Sequence, residues 1–74
     1  MMRGTLTVYK DQTGFYVQWR DDDQKDLLSP GPNEAEVVFA VSGDWESPEL
    51  KQQALAKARE HGVPEWKVEK SFPN

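Results

Sequence analysis

The 74-residue chain has 13 acidic and 9 basic side chains, one His and no Cys, and its net charge is −4. This length allows one small domain, residues 1–74 with a structured core over 5–72, and the lack of Cys excludes disulfides and Cys-ligated metals. No apolar run approaches the roughly 18 residues that span a bilayer, and residues 1–20 lack a secretory signal, so we expect a cytoplasmic protein that does not enter the membrane.

The first two strands are predicted to form a hairpin. Residues 5–9 and residues 15–20 each alternate between polar and apolar side chains, a pattern typical of half-buried strands. Gly14 closes the turn between them because glycine tolerates a positive φ. The alternation puts Phe15, Val17 and Trp19 on one face of the second strand and Tyr16, Gln18 and Arg20 on the other.

Residues 21–35 interrupt this pattern. They contain three consecutive Asp residues together with Pro30 and Pro32, and a proline cannot donate a hydrogen bond to a strand ladder. Two interpretations remain open. The segment is a long acidic loop rich in Pro and Gly, or residues 25–28 extend the second strand before a Pro-Gly turn.

A third strand is predicted over residues 36–42. Its side chains have little polar character on either face, which predicts the most buried strand of the sheet. Val37, Phe39 and Val41 are expected on one face, with Val38 and Ala40 on the other.

A helix is predicted over residues 48–61. Ser47 can cap its start, Pro48 fits the first helical position, and Gly62 can end it in the left-handed conformation before Pro64. Its apolar stripe consists of Leu50, Ala54, Leu55 and Ala58.

A fourth strand is predicted over residues 65–72, with Trp66, Val68 and Phe72 facing the core. The fold class is therefore α+β, a small antiparallel sheet of three to four strands with one helix packed on one face, in the order β-β-β-α-β. Chains this short often rely on disulfides, metals or oligomers, and the sequence leaves the choice between monomer and dimer open.

The acidic residues are concentrated in the middle of the chain. Residues 11–49 hold ten of the 13 acidic side chains and only two basic ones, which disfavours nucleic acid as a partner and favours a basic protein surface. The densest acidic cluster comprises Asp21, Asp22, Asp23 and Asp26. It is interpreted as a solvated loop or a protein contact, because its spacing does not match a calcium loop.

The aromatic residues supply the remaining candidates. Trp19 and Trp66 are predicted to lie in the core, whereas Trp45 either packs on the start of the helix or forms an exposed binding anchor. Tyr9 and Tyr16 are expected on the sheet face opposite the helix, together with Thr5, Thr7, Gln18, Val38 and Ala40. This face is either ordinary solvent-facing sheet or a partner surface. His61 is expected to interact with the helix dipole and not to act in catalysis.

The predicted function is that of a small acidic protein-binding module, such as a phage or mobile-element inhibitor that docks on a basic site of a host protein. The alternative is an antitoxin or regulatory subunit that masks a basic RNase or enzyme surface. An enzyme is less favoured, because the sequence lacks a nucleophile–base pair, a Gly-rich phosphate loop and a metal constellation. A nucleic-acid binder is less favoured because of the negative charge. No catalytic residue, metal or cofactor is predicted. The candidate contact residues are Asp21, Asp22, Asp23, Asp26, Trp45, Tyr9 and Tyr16.

The element order carries a resemblance to a known family. With Ser42-Gly43-Asp44 before the helix and Ala54, Leu55 and Ala58 on it, the chain resembles the N-terminal domain of HicB-type antitoxins. Its order and acidity also resemble small phage-encoded inhibitors of host enzymes. The long acidic segment 21–35 stands where the antitoxin domains have a short link, so no functional residues are carried over from either resemblance.

Overall fold

The architecture is a three-stranded antiparallel sheet with one main helix. The computed structural model describes residues 3–22 and 35–72. Its elements are β1 (Arg3–Asp11), β2 (Gly14–Asp21), β3 (Glu36–Asp44), α1 (Pro48–His61) and α2 (Glu65–Glu69). The strand order across the sheet is β2-β1-β3, and the predicted small α+β fold is confirmed. Neither helix within the described ranges has the length and apolar composition needed to cross a membrane.

Asp11 and Gly14 pair across β1 and β2, and the two residues between them form the hairpin turn. The Asp11 carboxylate holds this turn by accepting hydrogen bonds from the Thr13 backbone N–H at 2.7 Å, the Thr13 hydroxyl at 2.8 Å and the Gly14 N–H at 3.1 Å. Hydrogen bonding from Thr13 lowers the pKa of Asp11 below its ordinary value. Gly14 has φ 140, in agreement with its predicted place at the end of the turn.

The most buried strand is β1, not the third strand as predicted. Leu6 and Val8 are fully buried because β1 pairs with a neighbour on each side. In the described sheet β3 lies at an edge, so its long apolar run does not reflect a central position there.

A β-bulge in β3 changes which side chains reach the core. Val8 pairs with Phe39, but the next residue, Tyr9, pairs with Val37, so Val38 is the extra residue. Because a bulge resets the alternation of faces, Val37 is 60% exposed, whereas Val38 packs against the core. The predicted core position of Val37 and the predicted place of Val38 on the opposite face are both wrong.

The helix α1 has the predicted bounds and caps. The Ser47 hydroxyl accepts a hydrogen bond from the Glu49 N–H at 3.1 Å, and Gly62 adopts φ 75. The Val63 N–H then donates to the Ala58 carbonyl at 2.8 Å, which satisfies one of the last carbonyls of the helix. Its apolar stripe faces the core, although Leu55 is only half-buried.

Residues 65–72 do not form the predicted fourth strand. Glu65–Glu69 is the short helix α2, and α1 packs against both α2 and β3. Val68 is fully buried, but Trp66 is 59% exposed, so its predicted core position is wrong. A helical turn separates residues two apart by about 200°, and Trp66 and Val68 therefore point in different directions.

Among the residues that the structure describes, ten buried side chains form one hydrophobic core between the sheet and the two helices. They are Leu6, Val8, Phe39, Val41, Leu50, Ala54, Ala58, Val63, Val68 and Phe72. All three regions of the fold contribute, so the C-terminal segment is an integral part of the core.

Candidate functional site

The candidate contact residues fall on two separate surfaces. Asp21 ends β2 opposite Gly4 of β1, and Asp22 follows it, whereas Tyr9 and Tyr16 face each other near the hairpin turn. Five residue-to-residue steps along β1, from Gly4 to Tyr9, separate the two surfaces by roughly 17 Å at about 3.4 Å per step. Asp23 and Asp26 lie outside the described residues.

The first surface is the sheet face opposite the helices, here called the open face. Tyr9 pairs with Tyr16 on one side and with Val37 on the other. The three side chains therefore form one row across all three strands. Tyr16 is 41% exposed and Val37 is 60% exposed. Sequence reasoning found both tyrosines but missed Val37, because no residue signal marks the bulge that turns it outward.

The rest of the open face is small and polar. Thr7 lies between Gln18 and Ala40, and Thr5 lies between Arg20 and Ser42. The Thr5 and Ser42 hydroxyls are 2.8 Å apart. The open face is therefore aromatic and apolar near the hairpin turn, at Tyr9. Towards the start of β1 it is polar, with the hydroxyls of Thr5 and Ser42 and the guanidinium group of Arg20.

The second surface is the acidic end of the sheet. It comprises five carboxylates from the ends of β2 and β3 and the start of α1: Asp21, Asp22, Asp44, Glu46 and Glu49. Gly4 pairs with both Asp21 and Gly43, so the topology brings together acidic residues that are distant in sequence. Across the part of the chain that the structure describes, none of the five forms an ion pair.

Trp45 connects the acidic end to the core. Its ring lies 4.2 Å from the Trp19 ring, tilted by 38°, and stacks on Phe72 at 4.6 Å. The Trp19 indole N–H donates to the Asp21 carboxylate at 2.6 Å. Trp45 is half-buried in this stack, so only part of its ring is available to contact a partner.

Within residues 3–22 and 35–72 the site has no assembled metal-binding group. No three His, Cys, Asp or Glu side chains in these ranges are close enough to hold a metal ion. The His61 ring stacks on Phe39 with the ring centres 5.6 Å apart. Comparison of the chain with protein-family models, curated proteins and solved structures finds no match. The open face and the acidic end are the features on which a functional proposal can be built.

Proposed function

We propose that the protein is a non-catalytic binding module whose open face contacts a basic protein partner. The observation that supports this most is the row of Tyr16, Tyr9 and Val37, which crosses the whole sheet on the face that the helices leave uncovered. Tyrosine offers a large contact area with few rotatable bonds and a hydroxyl for hydrogen bonding. Val37 is an apolar side chain that the fold exposes to solvent, and it does not contribute to the hydrophobic core.

The acidic end supports the choice of a basic partner. Its carboxylates lie at one end of the same sheet and have no ion-pair partners among the residues described, and the net charge is −4. A concentrated negative potential attracts a cationic protein over roughly one Debye length, about 8 Å at physiological salt. It raises the association rate more than it slows dissociation.

The test is an affinity capture from a lysate with three baits. The baits are the unmodified protein, a double variant of the open face (Tyr16→Ser with Val37→Ser), and a matched variant of another exposed aromatic residue, Trp66→Ser. We expect a basic protein to bind the first and third baits and to be lost from the second. A basic RNase in that role would identify the protein as an antitoxin, and another host enzyme would identify it as an inhibitor.

Two readouts decide the outcome. Truncation of a contact residue at the centre of an interface costs about 2 kcal/mol or more, so the open-face variant should lose affinity by at least about thirtyfold. Binding of the unmodified protein should also weaken as salt rises. If all three baits retain the same proteins in the same amounts, the open face is not a contact surface.

A further inference from the structure

The outer edge of β2 has hydrogen-bonding groups that β1 does not use. β2 lies at one edge of the sheet formed by residues 3–22 and 35–72, and Asp11 and Gly14 pair directly across a two-residue loop. Bonded and non-bonded pairs alternate along an antiparallel ladder. Tyr16 and Gln18 therefore bond to β1, while Val17 and Trp19 direct their N–H and C=O groups away from the sheet.

The core side of β2 is also incompletely covered. No residue of β2 is buried, although Phe15, Val17 and Trp19 pack against the core. The reason is the position of α1, which packs against β3 and α2. The side chains beneath β2 thus keep apolar surface that a second layer or a neighbouring strand would remove from water.

The two ends of this edge carry opposite charges. At one end the Lys67 ammonium donates to the Phe15 carbonyl at 3.0 Å, and Lys67 and Lys70 line a groove of about 320 Å³ with Phe15, Tyr16 and Val17. At the other end lies Asp21. Neither lysine forms an ion pair within the described part of the chain.

We propose that β2 pairs antiparallel with β2 of a second copy of this chain, around a two-fold axis near Gln18. In that register Val17 lies opposite Trp19 of the second copy, and Phe15 lies opposite Asp21 of the second copy. Asp21 of each copy then approaches Lys67 and Lys70 of the other copy, so the dimer contains two equivalent charged contacts. Lys67 bounds the ladder at Phe15, so the pairing is confined to the segment between Val17 and Trp19.

A second copy satisfies more of these features than an unrelated peptide does. Antiparallel pairing of identical strands reverses the direction of the charge pattern, so one two-fold operation matches both charged ends and closes the assembly. It also places the half-buried Val17 and Trp19 of both copies side by side on the helix face. The dimer goes beyond the proposed binding function, and it joins two open faces into one surface without using them.

Amide hydrogen exchange measured by NMR over a range of protein concentrations tests the pairing without any substitution. We expect the Val17 and Trp19 amides to exchange quickly in dilute samples and to become protected as concentration rises. Tyr16 and Gln18 supply the internal control, since their bonds to β1 protect them at every concentration. Unchanged exchange of Val17 and Trp19 up to about millimolar concentration, together with a monomeric mass by sedimentation, would overturn the proposal.

Charge reversal then tests the register. We expect Lys70→Glu and Asp21→Lys each to raise the dimer dissociation constant about tenfold or more, and the double variant to return to within a few-fold of the unmodified protein. Lys57→Glu on α1 is the matched control and should change nothing. A dimer that is insensitive to both reversals, or that the double variant fails to restore, uses another surface. Neither result affects the proposed binding of a basic partner by the open face, which the affinity capture tests separately.

Discussion

Truncating Val68 is expected to destabilise the protein more than truncating the much larger Trp66. Val68 is 0% exposed and lies against the core, whereas Trp66 is 59% exposed. Val68→Ala removes two methyl groups, each worth about 0.8 kcal/mol in transfer free energy. The cavity left behind adds about 24 cal/mol per Å³, so we expect a total loss of about 2–3 kcal/mol.

The corresponding loss for Trp66→Ala is expected to be about 1 kcal/mol or less. A fully buried tryptophan would cost about 3–5 kcal/mol, but most of this side chain is in water. Its specific interactions are with the Lys70 and Lys67 ammonium groups, 5.4 Å and 5.9 Å from the ring centre. Exposed contacts of this type contribute about 0.5–1 kcal/mol, and alanine recovers part of it through its higher helix propensity.

Urea unfolding followed by far-ultraviolet circular dichroism measures both free energies. Fluorescence of Trp19 and Trp45 provides a second probe that survives the Trp66 substitution. An unchanged dependence on urea would show that both variants unfold from the same native state. The reverse order, a large loss for Trp66→Ala and a small one for Val68→Ala, would refute the helical assignment of Glu65–Glu69 and restore a strand.

Three further predictions concern the backbone and the hairpin turn. Gly62→Ala should destabilise by about 1 kcal/mol in urea unfolding because φ is 75 there, and a stabilised variant would contradict the left-handed cap. Gly4→Ala should lower the melting temperature strongly, since its Cβ would overlap the Arg20 carbonyl oxygen, whereas the Cβ of Gly43→Ala meets only the Leu50 side chain, at 3.4 Å or more. Equal melting temperatures for the two would contradict this packing. The Asp11 carboxylate stabilises the turn above its ordinary pKa of 3.8, and this contribution disappears as pH falls through its lowered pKa. The stability difference between the unmodified protein and Asp11→Ala should therefore shrink in acid, and a constant difference down to about pH 2 would contradict it.

The elements that sequence reasoning predicted correctly carry their determinants locally. The hairpin depends on Gly14 and on two alternating runs, and α1 depends on Ser47, Pro48 and Gly62. A cap or a turn is a contact between residues a few positions apart, so its signal can be found within a short window.

The errors arose where tertiary packing decides the structure. The bulge at Val38 depends on how β3 aligns with β1, more than 25 residues earlier in the chain, and no local residue reports that alignment. The alternation over 65–72 fits a strand, but the core accepts a short helix there. Pro64 followed by Glu65 repeats the Pro48-Glu49 pair that begins α1, and this is the local signal of α2 that the sequence prediction overlooked.

The candidate surfaces were predictable to different degrees. Tyr9 and Tyr16 share a face by simple alternation within the hairpin, so their proximity follows from the sequence. Their neighbour Val37 does not, because the bulge places it there. The acidic end was not predictable either. Asp21 lies at the same end of the sheet as Asp44 and Glu49 only because the strand order is β2-β1-β3.

The central place of the first strand has a consequence for the folding pathway. β1 pairs with β2 through a two-residue loop, but its other ladder joins residues as far apart as Arg3 and Asp44. Closing a long loop costs entropy before any contact compensates for it. We therefore expect the hairpin to form first and β3 to dock late, with the sheet completed only after residue 44 has left the ribosome. Until then, the β3-facing backbone groups of β1 are unpaired.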